Sequence, residues 1–163
     1  MDLSNIIIDE LPTDTLNYNG VDSLKYLNLR AKNMYFINNT LFQFLKNLIK
    51  LDLSHNRIIS LHSFTFRNLT KLEHLDLSHN GLKEIDKDTF RECINLVFLA
   101  LNHNFILNID PDTFSKTINL KSLYLHSNSF SLIDKSSKLT DFENLWPYIT
   151  YGYYSNETQT KTQ

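Results

Sequence analysis

Residues 72–95 read Leu72-Glu73-His74-Leu75-Asp76-Leu77-Ser78-His79-Asn80-Gly81-Leu82-Lys83-Glu84-Ile85-Asp86-Lys87-Asp88-Thr89-Phe90-Arg91-Glu92-Cys93-Ile94-Asn95. Leucines occupy places 1, 4 and 6 of this stretch, an asparagine place 9, apolar residues places 11 and 14, and a phenylalanine place 19. Moving 24 residues forward finds the next place-1 leucine at Leu96 and then Leu120; moving back finds Leu48 and Leu24. A fixed period in this range marks a repeat architecture, in which each unit is one structural element stacked on its neighbours.

Working outward, place 19 holds Phe42, Phe66, Phe90 and Phe114, and place 9 holds Lys32, Asn56, Asn80 and Asn104. The unit starting at Leu24 has its asparagine, Asn33, one residue late, so a distorted turn is expected there. A further unit opens at Leu120 and reaches Asn128, Phe130 and Ile133, but its place 19 is Lys138. Residues 1–23 resemble a partial repeat: Asp2-Leu3-Ser4-Asn5 matches Asp52-Leu53-Ser54-His55-Asn56 with the histidine deleted. The repeats are therefore expected over 1–135, with the chain opening in the middle of one. Leu139, Phe142, Leu145 and Trp146 have helical spacing, with Ser136 or Ser137 as cap and Pro147 as stop. A capping helix and short extension are expected over 136–152, followed by a flexible polar tail over 153–163.

Composition agrees with this plan. The formal charge of the 163 residues is −2, so no global field points to nucleic acid or an anionic membrane. With only 3 glycines and 3 prolines, turns fall to other residues, and asparagine is abundant and tolerates turn geometry. Cys93 is the single cysteine, which excludes an internal disulfide and a CxxC metal or redox motif. No stretch has the length of a transmembrane span, and the first residues carry no basic and apolar pattern of a signal peptide.

Within each unit, places 3 to 7 alternate with the period of a strand: places 4 and 6 point inward, and places 3, 5 and 7 outward. The place-9 asparagine follows where the chain turns away, and its amide can bond backbone groups that the bend leaves unpaired. Places 11, 14 and 19 fill the coil from behind. One such unit is too small to fold alone, so stability belongs to the stack.

The pattern L-x-x-L-x-L-x-x-N, continued by the rear phenylalanine, resembles the leucine-rich repeat superfamily over residues 1–135. Repeats of this length with that phenylalanine are similar to the extracellular class found in Toll-like receptors, chaoptin-like adhesion proteins and small proteoglycans. The resemblance implies an α/β solenoid: a curved stack with a parallel sheet on its concave face and an irregular or short-helical convex side. It also implies a non-enzymatic module that binds another protein through the concave face, without a cofactor.

Read down the stack, the outward places hold Tyr26, Lys50, His74, Phe98 and Ser122 at place 3; Asn28, Asp52, Asp76, Ala100 and Tyr124 at place 5; and Arg30, Ser54, Ser78, Asn102 and His126 at place 7. The expected partner-binding set is Tyr26, Lys50, Asp52, His74, Asp76, Phe98, Asn102, Phe105, Tyr124 and His126. Within it, Phe98 and Phe105 are expected in solvent with Tyr124 one coil away, a group of exposed aromatics that favours contact. His55, His79 and His103 share place 8 in successive coils. They read as solvated turn residues, and no metal is assigned, because zinc wants tetrahedral N or S ligands with oriented supporting partners. Asp52 and Asp76 sit on an open face with no evident pocket to raise a carboxyl pKa, so they are read as solvated, or as partners for a basic ligand, rather than catalytic. No nucleophile or nucleotide-binding motif is present. Cys93 is expected to be a buried small hydrophobe.

Three N-x-S/T sequons begin at Asn38, Asn68 and Asn156; the first two fall at places 15 and 21, off the concave face. These favour a secreted or cell-surface protein of receptor, adhesion or innate-immune type, with leader sequence upstream of this chain. The alternative is a cytoplasmic scaffold, favoured by the single cysteine. The opening at Met1 to Leu3 would leave a bare strand edge, so self-association through the N-terminal end is expected.

Overall fold

The computed structural model describes residues 21–130. It begins with a short 3-10 turn, Val21–Ser23, and then repeats one motif. Five three-residue strands, β1 (Tyr26–Asn28), β2 (Lys50–Asp52), β3 (His74–Asp76), β5 (Phe98–Ala100) and β7 (Ser122–Tyr124), form one parallel sheet in that order. The register advances one repeat per strand: Leu27 pairs with Leu51, Leu51 with Leu75, Leu75 with Leu99, and Leu99 with Leu123. On the far side of the turn, β4 (Glu84–Ile85) and β6 (Asn108–Ile109) make a second, two-stranded parallel pair. A second short 3-10 turn, Pro111–Phe114, is capped by the Asp110 side chain, which accepts from the Asp112 N–H. The architecture is the expected parallel-strand solenoid. The expected opening at residues 1–20, the end of the repeats at 131–135, the whole 136–152 cap and the tail lie outside the described residues.

The periodic residues form the core. Leu27, Leu29, Leu51, Leu53, Leu75, Leu77, Leu99 and Leu101 are buried on the inner face of the strands. From behind, Phe42, Phe66, Phe90 and Phe114 stack in one column with centroids 5.9–6.2 Å apart and planes within about 13°. Offset stacking lets each ring cover its neighbour without a perfect face-to-face overlap. Cys93 is fully buried among them, as expected.

The asparagines hold the bend. Asn80 Nδ2 donates to Leu53 O (3.0 Å) in the coil before and to Leu77 O (3.1 Å) in its own, while its Oδ1 accepts from Ile58 N (3.0 Å). Asn56, Asn104 and Asn128 repeat the arrangement. Each amide, buried at Asn56, Asn80 and Asn104 and half-buried at Asn128, thus satisfies backbone groups of two coils that no strand ladder can reach. A second asparagine column runs at place 24: Asn47, Asn95 and Asn119 donate to Asp22 O, Thr70 O and Ile94 O of the preceding coil.

The residue before each place-9 position is left-handed in every coil: Ala31, His55, His79, His103 and Ser127 have φ of 54–55°. The expected distortion in the first coil is therefore an addition, not a slip. Ala31 keeps the common turn, Lys32 takes the buried place 9, and Asn33 contributes a further left-handed residue (φ 56°). Asparagine is among the few non-glycine residues that visit this region at low cost.

Candidate functional site

The outer face of the five-stranded sheet carries an open depression of about 420 Å³ lined by Tyr26, Asn28, Lys50, Asp52, His74, Asp76 and Phe98, with Leu27 and Leu51 as floor. Strand pairing sets this arrangement: Tyr26, Lys50, His74, Phe98 and Ser122 are ladder partners in one column, and Asn28, Asp52, Asp76, Ala100 and Tyr124 in the next. Side chains on neighbouring parallel strands stand about 4.8 Å apart, so each column is a continuous ridge.

The first ridge is aromatic and cationic. Lys50 Nζ lies 5.9 Å from the centre of the Tyr26 ring. His74 packs against Phe98 at 5.7 Å, and Phe98 against Tyr124 at 5.3 Å. Partial burial, and then the Lys50 charge, hold the His74 imidazole below its ordinary pKa, with Glu73 opposing. The second ridge is locked from below. Asp52 Oδ1 accepts from Ser54 N (2.9 Å) and Ser54 Oγ (2.6 Å), and Ser54 Oγ accepts in turn from Arg30 Nη1 (2.8 Å). Asp76 Oδ1 accepts from Ser78 N (2.9 Å), and Asn28 Oδ1 from Arg30 N (3.0 Å). These bonds fix the carboxylate rotamers before any ligand arrives.

Three outward expectations need correction. Phe98 is half-buried rather than in solvent, because its ring is clamped between His74 and Tyr124. Ser54, Ser78 and Ala100 are buried although their places alternate outward: the serines lie under the aspartates, and the Ala100 methyl lies between taller neighbours. Phe105 is exposed but does not join the Phe98 group; it sits past the left-handed turn, its N–H bonded to Leu82 O on the flank of the stack. Tyr26, Lys50, Asp52, His74, Asp76, Phe98 and Tyr124 come together on the concave face. Asn102 and His126, both half-buried, follow along its edge.

That edge carries a row of imidazoles. His55 stacks on His79 at 4.1 Å, His79 on His103 at 4.2 Å, and His126 meets the His103 ring edge-on at 5.2 Å. The shared left-handed φ of place 8 aims all three turn rings the same way. Burial first, then the neighbouring His55, His103 and Arg30, lower the His79 pKa, against Asp76. Burial and His103 lower that of His126. Among the described residues, no group of three or more His, Cys, Asp or Glu is arranged to hold a metal ion, and no helix is long and apolar enough to cross a membrane.

Asn38 and Asn68 are exposed and stand off the strand face. Asn38 Oδ1 accepts from both the backbone and the hydroxyl of Thr40, the third residue of its own sequon. Asn156 lies outside the described residues.

A family model described as leucine rich repeat matches residues 22–82 and 47–106, together more than half of the 163-residue chain. No curated protein matches the sequence. Among solved structures, the leucine-rich repeat domain of APL1B is 26% identical with a TM-score of 0.72, over 78% of this chain and 38% of that one. The glycosylated Toll–Spatzle complex of Drosophila contains a chain 30% identical with a TM-score of 0.73, over 80% of this chain and 17% of that one. A chain of the TLR13–ssRNA13 complex is 34% identical with a TM-score of 0.64, over 68% of this chain and 16% of that one. This chain thus spans well under half the length of each of these structures' chains.

Proposed function

Because the chain belongs to the leucine-rich repeat family, we propose that it is a protein-recognition module of a secreted or cell-surface protein, and that it binds its partner through the concave face. The observation that carries the reading is the pair of preformed ridges. Five coils deliver aromatic, cationic and acidic side chains onto one surface, and the Asp52 and Asp76 carboxylates are held in place from below. Prearranged side chains reduce the ordering cost of association. The binding set is Tyr26, Lys50, Asp52, His74, Asp76, Phe98, Tyr124, Asn102 and His126, with the half-covered Phe98 as anchor, since interface energy concentrates on packed aromatics. The similarity to Toll, caught in complex with Spatzle, supports a protein partner. Repeats running to 135, a cap over 136–152 and glycans on Asn38, Asn68 and Asn156 complete the proposal. Extracellular placement rests on the similarity to the receptor-type structures and on the exposed sequons.

The test uses a photo-crosslinking residue placed at Tyr26 or at Phe98, with an exposed convex position, Phe64, as control. In cells that make the protein, both concave probes should capture the same protein and Phe64 should not. Capture at Phe64 alone would refute the concave assignment. Intact mass before and after glycosidase treatment tests the compartment: a mass that falls supports secretion, and an unchanged mass supports the cytoplasmic scaffold.

A further inference from the structure

The first coil leaves a large aromatic ring in water beside a sequon. Phe36 is 66% exposed, the most exposed aromatic among the described residues. Three other exposed rings are partly covered by cations: Tyr26 by Lys50, Tyr35 by Arg57 and Phe64 by Arg67. Over Phe36 the described residues lay neither a cation nor a ring. Two residues on stands Asn38, which opens the sequon Asn38-Asn39-Thr40. The order exposed Phe36, buried Ile37, exposed Asn38 sends the ring and the amide off the same side of the chain. Two residues span at most about 7 Å, so the ring and the amide are neighbours.

The amide is already turned for a sugar. Its Oδ1 accepts from Thr40 N (3.0 Å) and Thr40 Oγ1 (2.7 Å). Those bonds fix which end of the amide is oxygen, and they leave Nδ2 outside any hydrogen bond among the described residues. The buried Asn56 differs, since its Nδ2 donates to the carbonyls of two coils and cannot be spared. A pyranose presents C–H groups on one face, and the face of an aromatic ring is negative, so the two attract while water leaves both. The same offset at Asn68 meets Phe66, which is 1% exposed within the stacked column and closed to a sugar.

We propose that Asn38 carries an N-linked glycan whose first sugar, an N-acetylglucosamine, packs on the Phe36 ring and becomes part of the surface of the first coil. This rests on the secreted placement proposed above and deepens it, giving the sugar on Asn38 a structural role that one on Asn68 lacks. In the transfer, Asn38 Nδ2 forms the bond to C1 of the sugar and loses one proton. C1 breaks from the diphosphate of a lipid-linked donor, which leaves with the bonding electron pair.

The test uses the full 163-residue chain with Asn68→Gln and Asn156→Gln, so that Asn38 opens the one remaining sequon. It is made behind a leader peptide in a secreting eukaryotic host and trimmed by an endoglycosidase to one sugar, and it is made bare in bacteria. The single sugar should raise the melting temperature by about 2–4 °C. In Phe36→Ser, shown by circular dichroism to be folded, the sugar should add nothing, and bare Phe36→Ser should melt close to its bare parent because the site is exposed. A chain keeping the Asn68 sequon alone should gain nothing from its sugar. In proton NMR the Phe36 ring should shift the C–H resonances of the sugar upfield, and Phe36→Ser should return them. An Asn38 left bare in the secreting host, equal stabilisation of the parent and Phe36→Ser, or unshifted sugar resonances would each overturn the proposal. Failure of the secretion reading appears elsewhere, as a natural protein whose mass glycosidase leaves unchanged, and does not alter the outcome of this cycle.

Discussion

Replacing Asn80 with alanine isolates what the buried amide ladder contributes. The side chain is 6% exposed and makes three principal bonds. Two of its acceptors keep another donor after the change: Leu53 O retains Asn56 Nδ2 at 2.8 Å, and Leu77 O retains Asn104 Nδ2 at 3.0 Å. Each of those losses should cost about 0.5–1.5 kcal/mol. Ile58 N has no second acceptor, and Ile58 is fully buried, so its N–H is orphaned at about 1–3 kcal/mol. The sum is roughly 2–6 kcal/mol, a large share of the stability of an ordinary domain. Asn95, in the same coil, is the control. It is exposed and makes one side-chain bond, to Thr70 O, so Asn95→Ala should cost under about 0.5 kcal/mol. Urea unfolding followed by circular dichroism measures both. With m of about 1–3 kcal/mol/M, a loss near 4 kcal/mol lowers the midpoint by roughly 1.3–4 M. Equal shifts for the two variants, or a shift for Asn80→Ala worth under about 1 kcal/mol, would refute the claim that buried place-9 amides hold the coils together.

Stability should depend on pH through the imidazoles. His74, His79 and His126 have folded pKa values below the ordinary 6.5, so the unfolded chain binds their protons first. As pH falls through about 6.5 the melting temperature should drop, and above it the histidine contribution should be flat; His79→Gln should shallow the slope, and an unaltered slope would count against the stack as its source. Cys93 should be inert in the native state, because burial, with Glu92 adding to it, pushes its thiol up to about 12. A thiol reagent at neutral pH should label it only at the rate of unfolding, and rapid labelling of the native protein would show that the coil opens there.

Much of this molecule was legible one residue at a time. The 24-residue step places Leu27, Leu51, Leu75, Leu99 and Leu123 in one ladder, stacks the four phenylalanines behind them, and assigns the buried asparagines to the bend. The place-24 asparagines carry the same periodic signal and were legible too. The correction to Phe98, and those to Ser54, Ser78 and Ala100, share one cause. Alternation predicts which way a side chain leaves the strand but not how tall its neighbours are. Phe98 is half-covered by His74 and Tyr124, and Ala100 lies beneath the level of Asp76 and Tyr124.

In the stretch from Leu72 to Asn95, sequence alone determined the inside of the coil, because burying an apolar group is non-directional and a period is enough to state it. The tertiary structure decided the outside. Which rings stack and which carboxylates are locked depend on residues a full coil away. They also depend on the left-handed turn at His79, a backbone choice that no composition or spacing displayed. Directional contacts need both partners placed, and only the stacking of coils places them.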